Sequence, residues 1–361
     1  MFAVAVLGQS GRFTEVYKQL GIRVFELGNG RGRWNPLSLV KLIQIIRRDD
    51  YELVHAHLFK STILGTVAAE CTGRKIILHD HSGVNPYSMK FYFPSLPVRY
   101  IYSLFYRMAL VACERVVVLT PAARKIHEQI YSVDSTRIAV VPNGIDHRYL
   151  DPREYFMNNS IRSELGLSPD TRMVVMVGRL EPEKDWLTFL EVARYLPRLT
   201  QLSVAFLVVG AGSDEQRLRT YVTKYQITAV YFLGHRTDVA EIISSANVFL
   251  LTSEMEALGI ALLEAMAVGC PVVSTKSGGP DSILTHEVNG LLAEIKDVEK
   301  LARNIQRIFE DEELRSRLVH NARKTVVEAY TARSVASETA QIYREALAKV
   351  STIADLRSTL P

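Results

Sequence analysis

The sequence predicts an α/β protein made of two doubly wound domains, each with a parallel sheet covered by helices on both faces. The length of 361 residues favours two domains over one, and 48% apolar residues suffice for two cores. Short β-branched runs alternate with helix-favouring stretches along the chain. This alternation stops in a segment rich in structure-breaking residues and then begins again, which indicates two such domains rather than one.

The predicted strands fall into two series. The first series comprises residues 4–7, 24–27, 53–57, 76–78, 116–120 and 138–142. The second comprises residues 173–178, 204–210, 230–234, 248–253 and 271–275. Nearly continuous apolar strands divided by helices are typical of parallel sheets that are buried on both faces. The last 50 residues are predicted to be helical.

The boundary between the domains is predicted within residues 146–170, which contain Asp151-Pro152 and Ser168-Pro169-Asp170. This gives two Rossmann-like domains, residues 1–152 and residues 153–335. In open α/β sheets, ligands bind beyond the carboxyl ends of the strands. The site is therefore expected in the cleft where those ends of the two domains face each other.

Composition argues against several classes of function. The net charge is only +4, and the basic residues are scattered among acids, whereas nucleic-acid binders usually carry a concentrated basic stripe. Cys71, Cys113 and Cys270 show no metal-ligand spacing and are interpreted as buried free thiols in a reducing, cytoplasmic compartment. No apolar run approaches the roughly 18 residues of a membrane span. The apolar start lacks the basic flank of a signal peptide.

The strongest chemical signals follow strands of the second series. Gly178 ends a strand, and Arg179 and Lys184 then occupy the strand exit and the start of a helix. Two cations beside free helix N–H groups suit a diphosphate, although a solvated charge run that caps a helix explains them equally well. A glycine turn with Gly210 and Gly212 ends the next strand and is a weaker signal.

A lone carboxylate, Glu264, interrupts the apolar residues 262–266 of a predicted helix. Charged carboxylates are seldom buried without a partner, and two ribose hydroxyls would be a suitable one. Exposure to solvent or pairing with an arginine is the alternative. Glu256 lies eight positions earlier, in a glycine-marked turn where a sugar could reach it. Backbone N–H groups of residues 258–260 would open the helix toward phosphates.

These motifs together resemble the donor half of the retaining family 4 glycosyltransferases over residues 173–292. The resemblance is carried by Gly178-Arg179-x4-Lys184, Glu256-x7-Glu264, Cys270-Pro271-Val272-Val273 and Ser277-Gly278-Gly279-Pro280. The first half is similar in residues 54–57, 76–81 and 141–146. The resemblance implies the GT-B fold and sugar transfer from a nucleotide-diphosphate donor to a glycan or lipid-linked acceptor, as in polysaccharide biosynthesis. It implies neither a cofactor nor a metal ion.

The resemblance also implies roles for individual residues. Arg179 and Lys184 would bind the diphosphate, and Glu264 would hold the ribose hydroxyls. Glu256 would contact the transferred sugar, and His81 rather than His79 would lie beside the anomeric centre. Further implied contacts are Gly210, Gly212, Leu258, Gly259 and Ile260 on the donor side and Gly11 and Asn143 on the acceptor side. Residues 336–350 resemble the helix that crosses back to the first domain in this family. Ala257 and Leu258 replace the family's usual Gly-Phe, so the resemblance does not predict which sugar is transferred.

The beginning of the chain departs from the family pattern of a strand, a Gly-Gly loop and a long helix. Residues 4–7, followed by residues 21–24, resemble the family's second strand, so the first strand–loop–helix unit is expected to be absent. In the other interpretation, residues 4–7 are the first strand and Gln9-Ser10-Gly11 is a shortened loop. The helix that follows would then have only about two turns, short for one that covers a sheet.

Two other functions remain open at the level of sequence. A sugar-nucleotide epimerase of similar architecture would rearrange the donor without an acceptor, and a non-catalytic remnant would bind nucleotide without turnover. Residues 88–110 mix aromatic and aliphatic side chains with Lys90, Arg99 and Arg107. Such a segment suits peripheral contact with the inner face of a membrane. The preferred interpretation is an ordinary buried helix after a proline-containing loop.

Overall fold

The computed structural model describes residues 2–7, 11–28, 36–81, 95–151 and 160–358. The chain forms two compact units. The first contains Met1–Val118, Ala123–Val141 and Glu338–Pro361, and the second contains Leu119–Ala122 and Pro142–Ser337. The unit boundary therefore precedes the one predicted at residue 152, because the segment after Val141 is bonded to the second unit. The Ile145 amide donates to the Tyr330 carbonyl at 2.9 Å.

The strands of the first unit form two separate parallel sheets. Strands β1 (Ala3–Val6) and β2 (Arg23–Glu26) pair with each other, and β3 (Leu53–His57), β4 (Lys75–Asp80), β5 (Arg115–Val118) and β6 (Ile138–Val140) form a four-stranded sheet in that order. The helices found along this part of the chain are α1 (Arg12–Gln19), α2 (Pro36–Arg48), α3 (Leu58–Thr72), α4 (Leu96–Ala112) and α5 (Pro121–Gln129).

The second unit contains one six-stranded parallel sheet. Its strands are β7 (Arg172–Val177), β8 (Val204–Val209), β9 (Val230–Gly234), β10 (Val248–Leu251), β11 (Val272–Thr275) and β12 (Leu291–Ala293), in the order 12-11-10-7-8-9. Its helices are α6 (Ser160–Glu164), α7 (Trp186–Tyr195), α8 (Glu215–Lys224), α9 (Val239–Ser245), α10 (Ile260–Val268), α11 (Gly279–Ile283), α12 (Val298–Glu310) and α13 (Glu312–Ala329). The predicted α/β architecture with parallel sheets is thereby confirmed.

Strand order in the second sheet locates its ligand-binding edge. From β7 the chain proceeds outward through β8 and β9, and from β10 it proceeds outward in the other direction through β11 and β12. The order reverses between β7 and β10, and in doubly wound sheets ligands bind at the carboxyl ends of the strands at that point. The loops that follow these two strands are thus the expected site.

The last helix, α14 (Ala332–Ser358), returns the chain to the first unit. The Tyr343 hydroxyl lies 2.5 Å from Nδ1 of His55 on β3. Lys75 donates from Nζ to the Ala346 carbonyl at 2.7 Å, and Arg115 forms an ion pair with Glu345 at 3.1 Å. Residues from Glu338 onward therefore belong to the first unit, although they follow the second in sequence.

Helix α4 is apolar on two sides. Tyr102, Tyr106, Ala109 and Leu110 are buried in the first unit. The exposed apolar side chains of the same helix are Leu96, Val98, Tyr100, Ile101, Leu104, Phe105, Met108 and Val111. The preferred sequence interpretation, an ordinary buried helix, therefore describes only one side of α4, and residues 88–94 lie outside the described residues. Among the described helices, none is long and apolar enough to cross a membrane.

Candidate functional site

The loops after β7 and β10 are bonded to each other at the point where the strand order reverses. The Glu254 amide, after β10, donates to the Glu183 carbonyl, after β7, at 2.9 Å. The Trp186 indole N–H donates to the Arg179 carbonyl at 2.9 Å and anchors the start of the β7 loop. The side chains predicted for the diphosphate and the sugar, Lys184 and Glu256, are brought together in this way from positions far apart in sequence.

Each predicted cation pairs with a carboxylate. Arg179 Nη2 lies 2.6 Å from Glu183 Oε1, and the arginine side chain remains 63% exposed. Lys184 Nζ lies 2.6 Å from Glu256 Oε1, and the same oxygen accepts a hydrogen bond from Ser253 at 2.8 Å. Both members of the second pair are largely buried. The structure thus joins Lys184 to Glu256, which the sequence analysis assigned to different parts of the donor.

The glycine turn after β8 packs directly against the β7 loop. A Cβ on Gly210 would lie 1.9 Å from the Gly178 carbonyl oxygen, and one on Gly212 would lie 2.4 Å from the Leu180 carbonyl oxygen. Gly210 also has a φ of +144°, which disfavours any other residue. The described structure therefore gives both glycines a role in shaping the β7 loop, and a direct contact with the donor stays a prediction.

The turn that carries Glu256 is held by the segment after β11. The Glu256 amide donates to the Ser277 carbonyl at 2.8 Å, and the Gly279 amide donates to the Glu256 carbonyl at 2.8 Å. Gly279 has no space for a side chain, because a Cβ there would lie 2.5 Å from Cα of Leu258. This close contact explains why the Ser277–Pro280 motif has a glycine at position 279.

Helix α10 begins directly after this turn. Its N-cap is Gly259, with φ of +91°, and Leu258 is buried beside it while Ile260 is exposed. The first N–H groups of a helix have no partner within the helix and carry partial positive charge, so this end suits an anion. The residues predicted to face phosphates therefore do open a helix at the expected edge of the sheet.

Glu264 lies in α10, surrounded by buried apolar neighbours. Burial raises the pKa of Glu264 to about 7, a hydrogen bond with the Tyr149 side chain opposes this rise, and the Asp146 carboxylate adds to it. The sequence alternative of an exposed or arginine-paired carboxylate does not describe this environment. Because this carboxyl group is costly to ionise, hydrogen bonds donated by hydroxyl groups, such as those of a ribose, would stabilise its charged form.

A cluster of four histidines lies at the carboxyl ends of β3 and β4 in the first unit. His57 Nδ1 lies 2.8 Å from His81 Nε2, and the rings of His79 and His81 stack with centroids 4.0 Å apart. His79 is buried, and neither of its ring nitrogens has a hydrogen-bond partner among the described residues. Burial and the neighbouring imidazoles lower the pKa of His79 to about 2 and that of His55 to about 3. His81, half-exposed, is the more accessible of the residues 79 and 81.

The sequence analysis considered His79 and His81 only as alternatives beside the anomeric centre, whereas the structure groups His55, His57 and His79. His55, His57 and His79 each have a ring nitrogen, and these atoms lie within 4.8 Å of one another, close enough to hold a metal ion. The sequence pattern could have indicated this group. His55 and His57 are alternate residues of one strand and share a face, and the adjacent strand places His79 beside them.

Two predicted acceptor-side residues lie outside these clusters. Gly11 precedes α1, and its amide lies 3.3 Å from Thr14 Oγ1. Asn143 lies in the second unit, one residue before Gly144, which packs against Ala332. The described residues give neither a specific partner for the acceptor, and both stay predictions. The other two residues of the shortened loop, Gln9 and Ser10, lie outside the described residues.

Sequence reasoning missed three residues that complete the donor-side cluster. Glu183 could have been considered, since it lies only four positions from Arg179 in sequence. Ser253, three positions from Glu256, was likewise close in sequence, whereas Tyr149 reaches Glu264 only through the fold.

Comparison with known proteins divides the chain between residues 149 and 157, a few residues after the boundary of the compact units at Val141. Residues 2–149 match the model of "Glycosyltransferase Family 4", and residues 157–325 match the model of "Glycosyl transferases group 1". These two matches cover both halves of the chain.

Several characterised proteins are similar over most of their length. An Escherichia coli protein named UDP-Gal:alpha-D-GlcNAc-diphosphoundecaprenol alpha-1,3-galactosyltransferase is 28% identical, over 81% of this chain and 75% of its own. The N,N'-diacetylbacillosaminyl-diphospho-undecaprenol alpha-1,3-N-acetylgalactosaminyltransferase of Campylobacter jejuni is 22% identical, over 96% of this chain and 92% of its own.

Solved structures share the fold. The Anabaena protein HepE, crystallised in complex with UDP, has a TM-score of 0.78 and 21% identity, covering 95% of this chain and 100% of its own. The sucrose-phosphate synthase of Thermosynechococcus elongatus has a TM-score of 0.77 and 22% identity, covering 96% of this chain and 99% of its own.

Proposed function

Because this chain belongs to the family 4 type of glycosyltransferases with the GT-B fold, we propose that it moves a sugar from a nucleotide-diphosphate donor to a lipid-linked glycan acceptor. The observation that carries the proposal is the donor-side cluster at the reversal of strand order in the second unit. There Arg179 and Lys184 pair with Glu183 and Glu256, and Glu256 precedes a helix that contains Glu264 and whose first N–H groups favour an anion.

The diphosphate is the leaving group, so its developing charge has to be stabilised during transfer. In this proposal its oxygens displace the carboxylates from Arg179 and Lys184, which releases Glu183 and Glu256. Glu256 is then free to accept sugar hydroxyls, and Ser253 continues to orient it. The half-buried Glu264 carboxylate binds the ribose hydroxyls.

The transfer step proceeds with retention at the anomeric carbon and without a resident metal ion, as the family resemblance implies. The bond between the anomeric carbon and the diphosphate oxygen breaks, and the acceptor oxygen forms the new bond on the same face. The departing phosphate oxygen takes the acceptor proton, so charge and protons balance without a protein base. His81 contacts the transferring sugar in this scheme.

A lipid-linked acceptor is supported by the exposed side of α4. This helix has eight exposed apolar side chains, two arginines and no acidic residue, a composition suited to an anionic membrane surface. The two bacterial relatives above are named for acceptors carried on undecaprenyl diphosphate. We therefore place the protein at the inner, cytoplasmic face of the membrane, where α4 contacts lipid.

Product analysis with and without acceptor tests the reaction. We expect UDP-sugars to yield nucleoside diphosphate and a glycosylated undecaprenyl-diphosphate-linked sugar, and Lys184→Met to lose transfer. The matched control, Lys324→Met, changes an exposed lysine on α13 and should keep full activity. Conversion of the donor sugar without acceptor would instead indicate an epimerase, and nucleotide binding without any turnover would contradict the proposal.

Sedimentation with vesicles tests the membrane contact separately. We expect binding to vesicles that contain phosphatidylglycerol, and its loss when Tyr100 and Val111, which are 75% and 79% exposed, are both replaced by Ser. Val327→Ser, at a half-exposed apolar position on α13, is the control. Equal binding by all three proteins would refute a role for α4.

A further inference from the structure

Four histidines of the first unit lie on one face of its four-stranded sheet. His55 and His57 are alternate residues of β3, His79 is on β4, and His81 follows the end of β4. His57 is directly opposite His79 in the parallel register. Because alternate residues of a strand point to the same face, the four rings form one cluster, and the centroids of neighbouring rings are 4.0 to 5.4 Å apart.

Three ring nitrogens of this cluster are buried and have no hydrogen-bond partner among the described residues. They are both ring nitrogens of His79, which is only 6% exposed, and Nε2 of His55. Buried polar atoms in proteins are normally satisfied by a partner. Three such atoms on two neighbouring rings indicate that a ligand binds between the rings.

The distances between the nitrogens suit a metal ion. One ring nitrogen from each of His55, His57 and His79 lies within 4.8 Å of the other two. Bonds from zinc to histidine nitrogen are about 2.0–2.1 Å long, so the bonded nitrogens of a tetrahedral site are about 3.4 Å apart. The strand backbones already hold the three side chains on one face, and rotation of the rings closes the remaining distance.

Two neighbouring side chains orient these rings. The Tyr343 hydroxyl of α14 lies 2.5 Å from Nδ1 of His55, which leaves Nε2 of that ring for the ion. Likewise, Nδ1 of His57 lies 2.8 Å from Nε2 of His81, which leaves Nε2 of His57. Histidines that bind metal ions commonly donate a hydrogen bond from the other ring nitrogen, because this bond fixes the tautomer and the ring orientation.

The chemistry of these ligands selects the kind of ion. Asp80, between His79 and His81 in sequence, points to the opposite face, where its carboxylate lies 3.7 Å from Nε2 of His127. The ligand atoms identified in the cluster are therefore nitrogens alone. Imidazole suits zinc and other late first-row metals, whereas Mg²⁺ and Ca²⁺ are bound mainly by oxygen.

We propose that His55, His57 and His79 form a binding site for one Zn²⁺ ion, with a water molecule as the fourth ligand. The ion is bonded to Nε2 of His55, to Nε2 of His57 and to a ring nitrogen of His79. His57 is exposed, so the ion enters from solvent and its water can exchange. The Nδ1 proton of His57 is then donated to Nε2 of His81, which holds the His81 ring in one tautomer. The ion takes no part in the transfer step described above.

Calorimetric titration with Zn²⁺ alone tests the site, using the full chain purified without a polyhistidine tag and first dialysed against EDTA. We expect one ion per chain. His57→Ala should weaken binding by more than about 100-fold, the upper range for the loss of an outer partner alone. Because His57 is exposed, this variant should keep the melting temperature of the metal-free chain. Co²⁺ in place of Zn²⁺ should give the strong visible absorption of a tetrahedral ion.

A second variant distinguishes a built site from histidines that bind metal at the surface. Tyr343→Phe keeps the aromatic ring but removes the hydroxyl partner of His55. It should weaken Zn²⁺ binding by about 10- to 100-fold, as the loss of an outer hydrogen bond does in other metal sites. The matched control is His320→Ala, which removes an exposed histidine on α13 and should leave the affinity unchanged.

Three results would overturn the proposal. The unmodified chain could fail to bind Zn²⁺. It could bind Zn²⁺ with an affinity that His57→Ala leaves unchanged or that His320→Ala lowers equally, which would indicate adventitious binding at the surface. Tyr343→Phe could bind as tightly as the unmodified chain, which would contradict the assigned orientation of His55. None of these readouts depends on sugar transfer, so the site can fail while the proposed function stands, and the reverse.

Discussion

The ionisation of Glu264 gives a sharp test of the donor site. If the carboxylate form accepts the ribose hydroxyls, nucleotide binding requires Glu264 to lose its proton, and its pKa of about 7 places this change near neutrality. The ionised fraction falls from about 0.9 at pH 8 to about 0.1 at pH 6, so affinity should fall about tenfold, or about 1.4 kcal/mol. Binding should also release protons near pH 7.

The measurement is calorimetric titration with UDP, ADP and GDP between pH 6 and pH 8. Because a terminal phosphate also loses a proton near pH 6 or so, the comparison protein is Glu264→Gln, which keeps an acceptor for Tyr149 but cannot ionise. This variant should bind about 10- to 150-fold more weakly at pH 8, as expected for a lost hydrogen bond to a charged group worth about 1.5–3 kcal/mol. It should also lose the part of the pH dependence due to the carboxylate.

A matched control is Glu313→Gln, which removes an exposed carboxylate on α13. It should keep both the affinity and the pH dependence of the unmodified chain. Equal pH dependence in the Glu264→Gln variant, or unchanged affinity, would refute the ribose assignment.

The remaining predictions concern stability, charge, the glycine turn and metal. Glu264→Gln should raise the free energy of unfolding at pH 8 by up to about 3 kcal/mol and leave it unchanged below pH 4.5. The reason is that a carboxyl group whose pKa is raised in the folded state lowers stability as pH rises. Equal melting curves at pH 8 would contradict this. Arg179→Ala should lower kcat far more than melting temperature, since the arginine side chain is 63% exposed, although its partner Glu183 is buried. Comparable losses in both would indicate a structural role. Gly210→Ala should lower stability by at least about 1–3 kcal/mol through backbone strain alone, measured by denaturant titration. Transfer should persist after dialysis against EDTA, and strict dependence on added Mn²⁺ or Mg²⁺ would exclude the proposed mechanism.

The fold was predictable where apolar runs are bounded by clear breakers. Residues 53–57 and 230–234 were predicted as strands with the bounds that the structure has. Strand β12 was missed because three residues of it, Leu291–Ala293, are too few to show a period. The helix predicted to start near Lys184 begins at Trp186 in the structure. Asp185 adopts a left-handed conformation, with φ of +45°, and is the N-cap of α7.

The site was predictable in its residues but not in its pairings. Motif spacing placed Arg179, Lys184, Glu256 and Glu264 at strand exits and on the following helix, as the structure does. Spacing carries no information on which carboxylate meets which cation, and the contact between Lys184 and Glu256 spans 72 positions. The bond from Tyr149 to Glu264 likewise depends on a segment that the sequence analysis assigned to the domain boundary.

The return of α14 to the first unit has a consequence for synthesis on the ribosome. All but four residues of the second unit form one continuous stretch, Pro142–Ser337, so it can complete its core as soon as that stretch emerges. Most of the first unit is translated earlier. However, the bonds of Lys75 to the Ala346 carbonyl and of Arg115 to Glu345 can form only after α14 has been synthesised. The unit that is mostly synthesised first is therefore completed last, and until then the surface that α14 covers is accessible to chaperones and to neighbouring nascent chains.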